Sequence, residues 1–287
     1  MSEKHVDDIT GVETTGHEWD GIRELNNPLP RWWLWTFYAS IVWAIGYVIA
    51  YPAIPLINGA TPGLLGYSSR AEVVAELADA KAAQGALLEK IAATPVEEIA
   101  SDPELLQFAI AGGSSAFKVN CAQCHGSGAA GSAGYPNLND DDWLWGGTID
   151  QIYLTIAHGI RYEGDDDTRY SEMPAFGDIL EPAQINEVAA YVVSLSDTPA
   201  DPAMVEPGKE IFAENCAACH GDNAEGLIDF GAPRLSDGIW LKGATEAQIA
   251  AQIRNPKHGA MPAWVDRLGE PTVKQLAVFV HTLGGGQ

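Results

Sequence analysis

An uncharged stretch near the N-terminus is the clearest hydrophobic pattern in the chain. Residues 32–51 run for twenty positions without a charge, with tryptophans at the start and tyrosines towards the end. A helix of this length matches a hydrocarbon core of about 30 Å, and Trp and Tyr favour its two interfaces. A cleavable signal peptide fits less well, because mostly polar residues 1–31 precede the run, which is too long for an h-region. We therefore predict an uncleaved transmembrane anchor at 32–51.

The pattern after the anchor is that of helices separated by turns. Residues 52–106 begin with a Gly- and Pro-rich linker, followed by strong helix formers over 69–93, and we predict a helical linker that packs on the C-terminal part of the chain. Two further apolar helices are predicted at 185–195 and 273–283. The predicted fold is therefore mostly α.

The remaining sequence contains one pattern twice, over 107–200 (copy 1) and 201–287 (copy 2). Each copy has a Gly-x-x-x-Phe-x-x-Asn segment, a Cys-x-x-Cys-His-Gly motif, a later Met-Pro, and a closing apolar helix. The corresponding residues are Gly113 and Gly208, Phe117 and Phe212, Asn120 and Asn215, Gly126 and Gly221. A repeat of this length indicates two tandem domains.

The Cys-x-x-Cys-His motif is typical of covalent haem c attachment. Its thiols can bind the two vinyl groups of one porphyrin, and the adjacent histidine can reach the iron. A methionine on a later loop can then bind the opposite face. We predict two covalent haem c groups, with Cys121, Cys124, His125 and Met173 at the first, and Cys216, Cys219, His220 and Met261 at the second.

Alternatives to these ligands follow from the same residues. His158 and His258, each followed by glycine, could replace a methionine on the iron, which would lower the reduction potential. The sequence also leaves open an exchange of iron ligands between the two copies. A zinc site fits poorly, because 91 residues separate Cys124 from Cys216. Two protein ligands on each iron leave no open position, which favours electron transfer over oxygen or peroxide chemistry.

Charge limits the partners and suggests an orientation. The formal net charge of −23 makes nucleic acid an unsuitable partner and suits a basic protein. Arg23 and Arg31 precede the anchor, whereas Arg70 is the first basic residue after it. The N-terminal segment 1–31 is thus predicted to be cytoplasmic. The haem domains are predicted to be periplasmic, since haem c is normally attached outside the cytoplasmic membrane.

The N-terminal block resembles one family. Residues 16–35 (GHEWDGIRELNNPLPRWWLW), with Gly46-Tyr47 and Tyr51-Pro52, are similar to the dihaem cytochrome c subunit (subunit III, FixP-type) of cbb3-type cytochrome c oxidase. The resemblance covers nearly the whole chain. It implies one N-terminal transmembrane helix in the cell inner membrane, followed by two tandem class I cytochrome c domains.

The resemblance also implies a function and partners. Such a subunit is not catalytic alone. It relays electrons from a soluble or tethered cytochrome c, through two haems, to the oxidase's monohaem subunit and haem–copper site, where oxygen is reduced and protons are pumped. The alternatives are the dihaem cytochrome subunit of a periplasmic dehydrogenase, which residues 16–35 disfavour, and a dihaem peroxidase with one five-coordinate haem.

Overall fold

The computed structural model describes residues 5–286 and divides into two units, one ending at Ala82 and one beginning at Ala83. The ends of the predicted segments 1–31 and 201–287, residues 1–4 and 287, lie outside the described residues.

The strands are β1 (Thr14–Trp19), β2 (Ile22–Leu25), β3 (Pro55–Leu56) and β4 (Gly59–Ala60). The helices are α1 (Arg31–Ala50), α2 (Ser69–Ala93), α3 (Pro103–Asn120), α4 (Ala122–His125), α5 (Ile149–His158), α6 (Pro182–Ser194), α7 (Val205–Asn215), α8 (Ala217–His220), α9 (Glu246–Arg254), α10 (Val265–Leu268) and α11 (Glu270–His281). Short 3₁₀ helices cover Val96–Ser101, Phe176–Asp178, Pro202–Met204 and Ile228–Phe230.

The N-terminal unit contains a hairpin that the hydrophobic pattern does not predict. Strands β1 and β2 pair antiparallel with Trp19 opposite Ile22 and Glu18 opposite Arg23. The turn between them is Asp20-Gly21, with φ angles of 50° and 83°. Asp-Gly favours the two-residue turn whose positive φ angles match the twist of paired strands. The block that carries the family resemblance is thus partly a β-hairpin.

Helix α1 corresponds to the predicted anchor. It begins after Pro30 and ends before Tyr51, whose extended backbone suits the following proline. In the described part of the chain it is the one helix with the length and mean hydropathy, 1.5, to span a bilayer. None of its residues is buried within the structure. The helix therefore matches the predicted 32–51, displaced by a single residue.

The first hydrophobic core of the second unit lies around α3, α5 and α11. Helices α3 and α11 cross so closely that a Cβ on Gly113 would lie 2.2 Å from the Gln275 carbonyl oxygen. Next to the crossing, the rings of Phe117 and Phe279 have centroids 5.5 Å apart. The end of the predicted linker also joins this core, because Ile91 is fully buried in it.

The second core lies around α6, α7 and α9 and repeats this arrangement. A Cβ on Gly208 would lie 2.0 Å from the Glu187 carbonyl oxygen, so α7 and α6 also cross at a glycine. The rings of Tyr191 and Phe212 have centroids 5.3 Å apart. The same Gly-x-x-x-Phe pattern therefore supports both crossings.

The two cores do not coincide with the two sequence copies. Opening helix α3 of copy 1 packs against α11, the closing helix of copy 2, whereas α7 of copy 2 packs against α6 of copy 1. The order of the repeat predicts instead that each closing helix packs within its own copy. The physical reason for the difference is that both opening helices offer a glycine and a phenylalanine, and both closing helices offer an apolar face. The pattern satisfies either pairing equally well.

Candidate haem sites

The two Cys-x-x-Cys-His motifs adopt the same backbone conformation. Each begins where an opening helix ends, continues through a single helical turn, α4 or α8, and stops at a glycine. That glycine has φ 80° and ψ 156° at Gly126, and φ 81° and ψ 156° at Gly221. A positive φ is readily reached only by glycine, which explains why one follows each histidine.

Both motif histidines are held in one orientation. His125 Nδ1 lies 3.1 Å from the Pro136 carbonyl oxygen, and His220 Nδ1 lies 3.0 Å from the Pro233 carbonyl oxygen. A carbonyl only accepts hydrogen bonds, so Nδ1 carries the proton and donates it. Burial lowers the pKa of both imidazoles, and the carbonyl partly opposes this. Each ring is therefore neutral near pH 7, with Nε2 free to donate its lone pair to a metal.

The motif cysteines are free thiols in the structure. None of the four forms a disulfide. Burial raises the pKa of the Cys121 and Cys216 thiols to about 11. These two thiols therefore lack the lowered pKa that is typical of redox-active cysteines.

Both motifs and both predicted methionines line one cavity of about 860 Å³. The four cysteines, His125, His220, Met173 and Met261 all contribute to its wall. The structure therefore brings every predicted site residue to a common space within the second unit.

The methionines are distributed between the cores in the opposite order to the predicted one. Met261 packs against the first core, together with Cys121, whereas Met173 packs against the second, together with Cys216. Sequence order had paired Met173 with His125 and Met261 with His220. Because each closing helix packs on the other copy, the loop before it, which carries the methionine, goes with it.

The alternative ligands, His158 and His258, use ring nitrogens for other contacts. His158 Nδ1 lies 3.1 Å from the Asp165 carboxylate. His258 lines the cavity, but its Nε2 accepts a hydrogen bond of 3.1 Å from the Met173 backbone N–H. His158 is not among the residues that line the cavity, and the Nε2 of His258 is already engaged, so the methionines are favoured over the histidines as ligands.

Trp145 is a cavity residue that the sequence motifs did not indicate. Its side chain is buried, and its Nε1–H has no hydrogen-bond partner among the described residues. The Arg169 guanidinium carbon lies 5.7 Å from the centroid of the indole ring, so Trp145 packs within the wall of the cavity. A longer repeat could have revealed it, since Trp143-Leu144-Trp145-Gly146 corresponds to Trp240-Leu241-Lys242-Gly243.

These observations fit haem better than a bare metal ion. Each motif supplies two cysteines and one neutral, oriented imidazole, and the shared cavity has a methionine for each motif. Fold and site together define the class of the chain: it is a c-type cytochrome with an apolar N-terminal helix.

Comparisons with known proteins identify the family within this class. The model for the N-terminal domain of FixP of cytochrome oxidase-cbb3 matches residues 11–58, the cytochrome c model matches 110–196, and the model for subunit III of cbb3-type cytochrome c oxidase matches 203–280. The chain is 65% identical over 286 residues to the cbb3-type oxidase subunit FixPc of Rhizobium leguminosarum bv. viciae, covering 100% of both chains. It is 64% identical to FixP of Rhizobium meliloti (strain 1021), over 99% of this chain and 98% of the relative. It is 52% identical to CcoP of Cereibacter sphaeroides, over 96% and 95% of the two chains.

The chain therefore belongs to the FixP/CcoP family, subunit III of cbb3-type cytochrome c oxidase. It is an electron-transfer subunit of that oxidase, with two cytochrome c domains in tandem and other oxidase subunits as partners. The predictions of family, fold class and function are confirmed.

Proposed function

We propose that the chain binds two haem c groups covalently, one at Cys121 and Cys124 and one at Cys216 and Cys219. His125 and His220 are the proximal iron ligands. The observation that carries this proposal is the repeated geometry in which a neutral imidazole, half-buried at His125 and buried at His220, lies beside two free thiols and has its Nδ1 fixed by a proline carbonyl.

The opposite ligands are exchanged between the sequence copies. Met261 serves the haem attached at Cys121, and Met173 serves the haem attached at Cys216. The packing of each methionine with the core that contains the corresponding cysteine supports this pairing. It replaces the pairing predicted from sequence order.

The bound haems supply one-electron oxidation and reduction. At each site a neutral imidazole and a soft thioether would hold the iron, and a thioether ligand would favour the reduced iron and raise its potential. With both positions taken, the residues favour electron relay over oxygen or peroxide chemistry. The shared cavity wall supports passage of electrons between the two sites.

The chain acts between a donor and the rest of the oxidase. It accepts electrons from a soluble or tethered cytochrome c and delivers them to the monohaem cytochrome subunit and the haem–copper subunit, which reduces oxygen and pumps protons. Helix α1 is a single-pass anchor in the lipid of the inner membrane, with the N-terminus cytoplasmic and the haem sites periplasmic. The position of Arg23 before the helix and of Arg31 at its first residue supports this orientation.

Haem counting tests the number of groups, and loss of one site tests the ligand pairing. Pyridine haemochrome spectra of the purified chain should give two thioether-linked haems per polypeptide. In a Cys121→Ser/Cys124→Ser chain, one near-infrared iron–sulfur band should remain. Met173→Ala should abolish this remaining band, whereas Met261→Ala should leave it in place.

The reverse result, with Met261→Ala removing the remaining band, would restore the pairing within each copy. If the chain without its first haem does not fold, the full-length reduced protein offers a second measurement. There, nuclear Overhauser contacts should connect the Met261 methyl group to the haem attached at Cys121. Fewer than two covalent haems would contradict the proposed function itself.

A further inference from the structure

One arginine side chain joins the two loops that carry the methionines. Arg161 Nε donates to the Gly259 carbonyl oxygen at 2.7 Å, and its Nη1 donates to the Ser171 carbonyl oxygen at 2.8 Å. Gly259 and Ser171 each lie two residues before a methionine, Met261 and Met173. We name Arg161, Gly259 and Ser171 the Arg161 bridge. A single guanidinium thus binds equivalent positions of both ligand loops.

The backbones of the two methionines are also bonded across the copies. Met261 N–H donates to the Ile160 carbonyl oxygen, and Ile160 N–H donates to the Met261 carbonyl oxygen, both at 2.9 Å. Met173 N–H donates to His258 Nε2 at 3.1 Å. Each methionine N–H is therefore held by a residue of the other copy, as each loop is by the Arg161 bridge.

The backbone of Arg161 adopts a conformation that is uncommon for a residue with a side chain. Its φ angle is 49°, in the left-handed region that side-chain-bearing residues other than Asn and Asp rarely adopt. Such conformations persist where surrounding contacts over-determine them, often at functional sites. The residue also lines the haem cavity, and burial lowers the pKa of its guanidinium.

Copy 2 has no residue that corresponds to Arg161. Fifteen positions lead from His158 to Met173, whereas only three lead from His258 to Met261. The longer loop of copy 1 contains Arg161, whose side chain contacts both methionine loops. An arginine that contacts both methionine loops gives a reason for the extra length of this loop in copy 1.

We propose that Arg161 is a positioning residue that holds both methionine loops in one arrangement, so that the two iron–sulfur bonds form and weaken together. The inference rests on the proposed ligation by Met173 and Met261. An arginine suits this role because its planar fork can donate to two fixed acceptors at once, whereas a lysine is a compact point charge on a flexible stem.

Two Arg161 variants separate positioning from charge. Arg161→Lys keeps the positive charge and loses the two-carbonyl geometry. Arg161→Asn loses both, and asparagine tolerates the left-handed backbone, so strain is not added. Arg254→Gln is the control, because it removes the same charge from an exposed residue outside the cavity wall. All three are made in the full-length chain, and also with Met173→Ala or Met261→Ala, so that one methionine site is observed at a time.

The measurement is the amplitude of the near-infrared iron–sulfur band per haem as temperature rises, with covalent haem counted in each sample. Both Arg161 variants should lose the band at a lower temperature than the parent chain, in both single-methionine backgrounds. Arg254→Gln should match the parent. Arg161→Lys provides the test if Arg161→Asn does not accumulate.

Three outcomes would overturn the inference. In the first, the band is unchanged in both backgrounds. In the second, it is weakened in one background alone, so that Arg161 serves one loop. In the third, Arg161→Lys matches the parent while Arg161→Asn does not, so that charge alone matters. If the parent chain has two covalent haems but no iron–sulfur band, the proposed ligation fails instead, independently of Arg161.

Discussion

The carboxyl of Asp142 shows how the cavity wall changes the pKa of a single side chain. Its carboxyl lines the cavity, and burial, with Asp237 and Asp140 nearby, raises its pKa from 3.8 to about 6, opposed by Arg234. A carboxyl with a raised pKa binds its proton more tightly in the folded state than in the unfolded one. It therefore stabilises the fold fully below about pH 4, and this contribution is lost as pH rises through about 6.

Asp142→Asn should accordingly stabilise the chain at pH 7 and not at pH 4. A shift of two pKa units corresponds to about 3 kcal/mol, and partial exposure reduces the expected gain to about 1–2 kcal/mol. Thermal unfolding at the two pH values measures it. Asp166→Asn is the matched control, because it removes the same charge from an exposed side chain that is not among the causes of the raised Asp142 pKa. Equal effects of Asp142→Asn at both pH values would contradict the assignment.

At the scale of elements, two helix crossings hold the cores together, and each depends on a glycine. The expected Cβ contacts at Gly113 and Gly208 are with backbone oxygens, which cannot move aside as a flexible side-chain end could. Gly85 is the opposite case, since a Cβ there would meet nothing within 4 Å.

Gly113→Ala should therefore destabilise the chain, whereas Gly85→Ala should not. Overpacking at such a contact costs about 1–3 kcal/mol. Alanine in place of an unconstrained helical glycine gains about 0.5–1 kcal/mol. The unfolding midpoints of the two variants measure the contrast, with Gly208→Ala expected to follow Gly113→Ala. A Gly113→Ala chain as stable as Gly85→Ala would show that α3 and α11 do not cross as described.

The sequence predicted individual elements well where the signal was local. Helix α2 has the predicted bounds, 69–93, and α1 differs from 32–51 by one residue at each end. Helices α6 and α11 begin three residues before the predicted 185 and 273, because the apolar run starts later than the helix does. The prolines in their first turns, Pro182 and Pro271, mark the true starts. The hairpin β1–β2 was missed, although Asp20-Gly21 is a strong turn signal.

The sequence could not predict which closing helix packs against which opening helix. Both copies have the same glycine, phenylalanine and apolar pattern, so packing within a copy and packing between copies fit it equally well. The helical turn of each cysteine–histidine motif depends on contiguous residues, so it lies within reach of sequence analysis. The core against which each methionine packs does not, since it depends on which closing helix reaches which core. Arg161 lies in the one loop with no counterpart, so no comparison between copies indicates it.

For the whole molecule, the exchange of closing helices means that neither copy contains a complete core. A chain of residues 83–200 has α3 without α11 and α6 without α7, so two apolar faces are left uncovered. We expect this fragment not to unfold cooperatively, whereas adding residues 201–287 as a second chain should restore cooperative helical unfolding, measured by far-ultraviolet circular dichroism. A cooperative transition in the first fragment alone would mean that copy 1 folds independently.

The order of the helices along the chain means that the two cores can be completed at different times during synthesis. Every helix of the second core lies between residues 182 and 254, with Met173 just ahead of them, so all its parts are present before translation ends. The first core joins α3, which is made early, to α11, which is made last. Cys121 and Cys124 must therefore wait, in an open segment, until α11 has been made before their surroundings are complete. The surroundings of the motif nearer the N-terminus are therefore the last to be completed.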